Sequence, residues 1–223
     1  MARKTKRQAQ ETRQQIIDAA IRLFTVQGVS ATSLSDIATK AGVTRGAIYW
    51  HFKNKVDLFT EACELTDLKI ESLDLEYQTK YPDDPLFVLR ELLIYILTSI
   101  VEDPKHNALL EIYFHKCEFV GEMKSIVEIR KELCAADYCR IEISLRHCIE
   151  KNQLPDDLNL RRAAIMLRAM MTGLAENWLF SPESFSLKDE SQYLVDSFID
   201  MIKTSASMRI SAPDTLTLNM RDK

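Results

Sequence analysis

Apolar positions along this chain recur with the period of an α-helix almost from end to end. Ile16, Ile17, Ala20, Leu23 and Phe24 fall on one face, and Gly28 supplies a stop. Ser33-Leu-Ser-Asp36 has the spacing of a capping box and opens a second, short helix through about Ala41, which Gly42 breaks. Thr44 is placed to cap a third helix through about His51, and Asn54-Lys-Val-Asp57 starts a long one towards Tyr77. Asp84-Pro85 and Asp103-Pro104 each set an Asp cap before a first-turn Pro, predicting helices over 85–101 and 104–117. A long segment over about 122–151 ends near Pro155. Leu160, Ala164, Leu167, Met171, Leu174 and Trp178 form one stripe of a helix over 159–179, and Ser186-Leu-Lys-Asp189 caps a last helix to about Lys203. The expected fold class is all-α, with about nine helices: a three-helix unit over 1–55, a larger helical body over 56–205 and a frayed tail over 206–223.

Composition agrees with this pattern. Five Gly and six Pro are too few for a β-rich fold of 223 residues. The longest strongly apolar run, 92–101, is about half of what a bilayer span needs, so no membrane association is expected. Five cysteines without a Cys-x-x-Cys pair, and no apolar core behind the charged opening MARKTKRQAQETR, read as a cytoplasmic chain with free thiols. Charge adds something the periodicity does not show. Residues 1–55 hold ten Lys/Arg against three Asp/Glu, a net of +7, while the remainder holds nineteen against thirty, a net of −11. A basic end on an acidic body implies that one end meets a polyanion.

Two short helices around a Gly turn are the geometry of a helix-turn-helix. Ala38 is small where the helices cross, Gly42 takes the turn, and Ile37, Val43 and Ile48 fix the crossing. The second helix then presents Thr44, Arg45, Tyr49 and His51 outward, sized for a DNA major groove. Arg45 reaches a guanine edge or a phosphate, and Tyr49 a phosphate or a thymine methyl. Lys55, at the start of the next helix, is placed for a phosphate. Arg3, Lys4, Lys6 and Arg7 form an arm against the backbone or minor groove. Phe52 reads as core, and Trp50 as lying at the edge between core and DNA face.

The stretch TSLSDIATKAGVTRGAIYWHFKNKVDLF resembles the signature region of the TetR family of bacterial transcriptional regulators, a helix-turn-helix followed by Tyr-x-His/Tyr-Phe-x-x-Lys. Those positions here are Tyr49, His51, Phe52 and Lys55. MARKTK with Glu11-Thr12-Arg13, His115-Lys-Cys-Glu-Phe119 and Asn177-Trp-Leu179 are similar to AcrR-type repressors of multidrug efflux pumps, a likeness that runs to roughly residue 205. The resemblance implies a homodimer on a palindromic double-stranded operator. It also implies a ligand-binding body and repression of an efflux-pump operon, with Thr44, Arg45, Tyr49, His51 and Lys55 as operator contacts.

Dimer contacts are expected from the last two helices, through Leu174, Trp178, Leu194, Phe198 and Met201. A ligand wall read from periodicity comprises Cys63, Asp67, Ile70, Leu93, Ile96, Leu110, Phe114, Cys134, Ile141, Leu167 and Met171. Seven of the eight Met lie beyond residue 55, thioethers that suit varied apolar shapes, and Asp67 favours amphipathic or aromatic cations. Movement of the helix that starts at Lys55 would then change the spacing of the two recognition helices. Other classes find little support. No Gly-x-Ser-x-Gly, phosphate loop or Gly-x-Gly-x-x-Gly occurs, so no enzyme, cofactor or metal is expected. His115, Cys117 and Glu118 do not share one helical face, and the spacing of Cys134 and Cys139 is poor for a disulfide. A helical protein adaptor is the alternative, and it predicts no salt-dependent DNA binding.

Overall fold

The computed structural model describes residues 6–118 and 124–210, without the side chains at 66, 67, 125 and 130. The described residues form nine α-helices: α1 Lys6–Gln27, α2 Leu34–Ala41, α3 Arg45–His51, α4 Lys55–Lys80, α5 Pro85–Glu102, α6 Pro104–Glu111, α7 Ser125–Glu150, α8 Leu160–Phe180 and α9 Leu187–Thr204. Their starts are chemical. Ser33, Thr44, Asn54, Asp84, Asp103, Asn159 and Ser186 each accept a first-turn N–H on the side chain, satisfying donors that a helix leaves unpaired. At Ser33 the box is complete, because Asp36 takes the Ser33 N–H at 2.9 Å in return. The Ser33 hydroxyl, and after it that N–H, hold the Asp36 carboxyl below the usual carboxylate range.

Two cores result. The first joins Ile16, Ile17, Phe24, Ile37, Ile48 and Phe52 of the N-terminal unit to Leu58, Phe59 and Ala62 of α4 and to Leu109 and Ile112. The basic unit therefore does not close on itself at residue 55; its core continues into α4 and the α6 region. The second core fills the body, with Leu93, Leu97, Leu145, Ala163, Leu167, Val195, Phe198 and Ile202 among its residues.

Two expectations need correction. The helix expected over 104–117 is α-helical only to Glu111 and then widens into a π turn, Ile112–Lys116. There one short segment serves both cores: Ile112 and Tyr113 pack on the first, Phe114 on the second. The tail is not frayed at its start. A 3-10 turn, Ala206–Met208, buries Met208, and Asn159 and Ile210 donate backbone N–H groups to Met208 and Asp157 carbonyls at 2.7 and 2.8 Å. A buried apolar side chain and these bonds hold the chain to residue 210, and residues 211–223 lie outside the described ones. No helix among the described residues is long and apolar enough to cross a membrane.

Candidate nucleic-acid interface

The outward face is made by how α2 and α3 are held. Gly42 sits at φ 68°, with its N–H on Thr39 O at 3.2 Å, and Val43 donates to Ala38 O at 3.0 Å. A Cβ at Gly42 would meet nothing within 4 Å, so what calls for glycine is the left-handed backbone, not space. Ala38, Ile37 and Ile48 are buried beneath the crossing. α3 is thereby pinned on one side and bare on the other.

Thr44 is exposed, and its hydroxyl accepts the Ala47 N–H at 3.2 Å while keeping its own proton to donate. One turn on, the Arg45 guanidinium donates to the Tyr49 hydroxyl at 3.1 Å and lies 5.6 Å from that ring's centre. The pair holds the guanidinium beside the Tyr49 ring and leaves the other guanidinium N–H groups and the phenol proton available as donors. His51 is half-buried, with its ring 4.5 Å from that of Trp50, edge to face. Lys6, Lys40 and Lys53 are exposed. Lys4 and Arg3 lie outside the described residues.

Two assignments change. The Lys55 side chain does not reach outward. It is 7% exposed and its ammonium donates to the Val29 carbonyl at 3.1 Å. A phosphate contact by that amine would first have to break a buried bond. Trp50 is not an edge residue but the most open aromatic of α3, at 72% against 50% for Tyr49. Gly46, one turn earlier, leaves open space beside it: a Cβ there would find only the Thr44 hydroxyl oxygen at 3.9 Å. Sequence reading missed Trp50 because an indole beside a core Phe looks like core. The bare Gly46 one turn earlier was the available signal.

In the body, periodicity located apolar positions without telling core from wall. Leu93 and Leu167 are buried in the second core, with Leu110, Phe114, Ile141 and Met171 packed on it. Cys63 packs on the first core, and Ile70, Ile96 and Cys134 are half-buried. The side chain of Asp67 lies outside the described residues. None of these lines the two cavities described. One, about 150 Å³, lies between α4, α5 and α7, with Asp74, Gln78 and His147 at its polar side and Val88, Leu89 and Leu92 on its floor. The other, about 360 Å³, lies where the α8–α9 turn meets α5, lined by Val101, Trp178, Phe185 and Leu187. The expected dimer seam also turns inward. Phe198 is 3% exposed in its own subunit, Leu174, Trp178 and Met201 pack on the same core, and Leu194 is half-buried. A helical stripe marks the side facing the subunit's own neighbours first. The exposed apolar residues of α8 and α9 are instead Ile165, Met166, Phe180 and Tyr193.

Comparison with known proteins agrees with this geometry. Residues 16–62 match the family model of bacterial regulatory proteins of the tetR family, and residues 84–204 match that of the MAATS-type transcriptional repressor C-terminal region. The chain is 56% identical over 209 residues to the HTH-type transcriptional regulator AcrR of Shigella flexneri, covering 94% of this chain and 97% of that protein. Among solved structures it is similar to NalD of Pseudomonas aeruginosa, described as the secondary repressor of the MexAB-OprM multidrug efflux pump. The TM-score is 0.76 and the identity 32%, over 88% of this chain and 98% of that one. It is also similar to SmeT of Stenotrophomonas maltophilia in complex with triclosan (TM-score 0.78, 28% identity, 92% and 99% covered).

Proposed function

Since the chain belongs to the tetR family of bacterial regulatory proteins, we propose that it is a homodimeric repressor of a multidrug efflux-pump operon, released from its operator by amphipathic or aromatic ligands. The observation that carries the DNA side is the Arg45–Tyr49 pair, held open on a pinned recognition helix at the basic end of an acidic chain. NalD and SmeT, both described as efflux-pump repressors, support the choice of operon, and the SmeT–triclosan complex supports a drug-like ligand.

For the ligand we favour the cavity between α4, α5 and α7. Its polar side carries the Asp74 carboxylate, which accepts from Gln78 at 2.9 Å and leaves an oxygen for a cation, and its floor is aliphatic. At about 150 Å³ it is smaller than the roughly 300–1,000 Å³ of drug-sized sites. A drug-sized ligand must therefore separate α4 from α5 and α7. α4 also carries Leu58, Phe59 and Ala62 of the core beneath the recognition helix, so this separation reaches the DNA face. A ligand bound about a hundredfold more tightly to the opened state shifts the balance by about 2.7 kcal/mol. Ile165, Met166 and Tyr193 on α8 and α9 are the apolar surface proposed for the partner subunit, which would set two recognition helices one DNA turn apart.

The test is in cells. A reporter driven by the promoter of the neighbouring pump operon should rise when this gene is deleted. In the intact strain it should rise on adding a planar aromatic cation such as ethidium. A reporter unmoved by the deletion contradicts the proposal.

A further inference from the structure

The turn after α1 is held from two directions by one residue. Val29 is fully buried. Its N–H donates to the carbonyl of Lys116, the last residue of the π turn, at 3.0 Å. Its own carbonyl accepts from the ammonium of Lys55, the first residue of α4, at 3.1 Å. The approach is close: Gly28 stands at φ 80°, and a Cβ there would come 3.3 Å from the same Lys116 oxygen, tighter than an ordinary contact, so both the backbone and the approach favour glycine. The π turn itself spans the molecule's division. Ile112 and Tyr113 sit on the core beneath the DNA face, Phe114 sits on the body core, and the His115 ring lies 6.3 Å from that of Phe180 at the end of α8.

A π turn is an α-helical turn carrying one residue more, and such turns recur at functional sites. Closing it to an α turn withdraws the following carbonyl by about 1.5 Å, the rise of one residue. A 3.0 Å hydrogen bond stretched that far no longer exists. We propose that the π turn 112–116 and Val29 form a latch. With the wide turn in place the Lys116 carbonyl seats Val29, Val29 holds Lys55, and the α1–α2 turn is fixed against the start of α4. Closing the turn, which shifts Phe114 against the body core, unseats Val29 and frees the helix-turn-helix from its fixed orientation. A preorganised recognition helix loses less freedom on binding than a freed one, so the latched state is the DNA-binding state. The latch rests on the repressor reading only for its DNA consequence.

Deleting His115, an exposed residue of the π turn, closes the turn without removing a core side chain. Amide hydrogen exchange of the full-length chain, read by NMR, follows Val29 directly, and operator titration with the same protein follows the consequence. In the deletion variant Val29 exchange should accelerate at least about tenfold, while Ile37, bonded to Ser33 within α2, stays as protected as in the parent chain, which shows that the unit remains folded. Operator affinity should fall by about tenfold or more. Val29→Pro, which removes the amide donor and also replaces the buried isopropyl group, should lower affinity by a similar factor or more. Combining the two should add little, since both cut one link. A Val29 amide still protected in the deletion variant overturns the latch, and so does unchanged or tighter operator binding with Val29 exposed. If the parent chain binds no operator, the repressor reading fails while the exchange comparison still decides whether the π turn holds Val29.

Discussion

The DNA-binding end and the body solve the problem of helix stability in opposite ways. α2 and α3 have eight and seven residues, far too short to persist alone in water. They stand because their ends are chemically closed by Ser33, Asp36, Gly42 and Thr44, and because Ile37, Ile48 and Phe52 are sunk in a shared core. The body helices run 18 to 26 residues in α4, α5 and α7 to α9, and lean on each other along whole faces. At the first end, position along the chain decides what each side chain does. In the second, only packing decides, because every apolar residue on a long helix is an equal candidate for core, cavity or partner.

Truncating a buried anchor gives the largest expected effect and separates the two ends. Phe52→Ala should cost about 3–5 kcal/mol in urea unfolding and abolish operator binding. Leu167→Ala, equally buried in the body core, should cost about 2–5 kcal/mol while leaving amide protection in α1 to α3 unchanged. If Leu167→Ala also strips protection from α2, the two cores are one cooperative unit. Next in size, Arg45→Ala should weaken operator binding by about 1–3 kcal/mol, measured by anisotropy, with the urea midpoint unmoved because Arg45 is exposed. Gly42→Ala should destabilise by about 1–2 kcal/mol through its left-handed backbone, and Gly42→Asn by less. Equal costs would shift the demand from conformation to space.

The smallest effect belongs to the body. Burial pushes the His106 imidazole below its usual pKa of 6.5, against the opposing pull of Asp103, with the Lys69 charge adding to the lowering, and Nδ1 sits 2.8 Å from the Ser99 hydroxyl. Folding favours neutral His106, so its contribution is complete above pH 6.5 and is lost as pH falls through the lower folded value. The urea midpoint should therefore drop between pH about 7.5 and about 5.5, and drop less in His106→Asn. An identical drop in both proteins would assign the pH dependence to other groups.

The same contrast governs what could be read before the fold was known. Ser33, Thr44, Asn54, Asp84, Asp103 and Ser186 each announced a helix start, because capping needs one residue type at one position. Arg45 and Tyr49 could be placed outward because Ile48 had to point inward. The direction of Lys55 was not legible, since its partner is a carbonyl 26 residues earlier in the chain. The π turn was not legible either: IYFHK carries no breaker, and the widening answers to two cores at once. For the cavity between α4, α5 and α7, Asp74, Gln78 and His147 are ordinary surface residues in sequence and gather only when three helices meet.

The most direct measurement is a fluorescence-anisotropy titration of the full-length chain into labelled DNA from upstream of its own gene, at two salt concentrations, against random DNA. Nanomolar binding that outcompetes random sequence, weakens steeply with salt and falls in Arg45→Ala is the predicted result. Binding that is equal on both DNAs, or indifferent to salt and to Arg45, would contradict an operator-reading surface on α3.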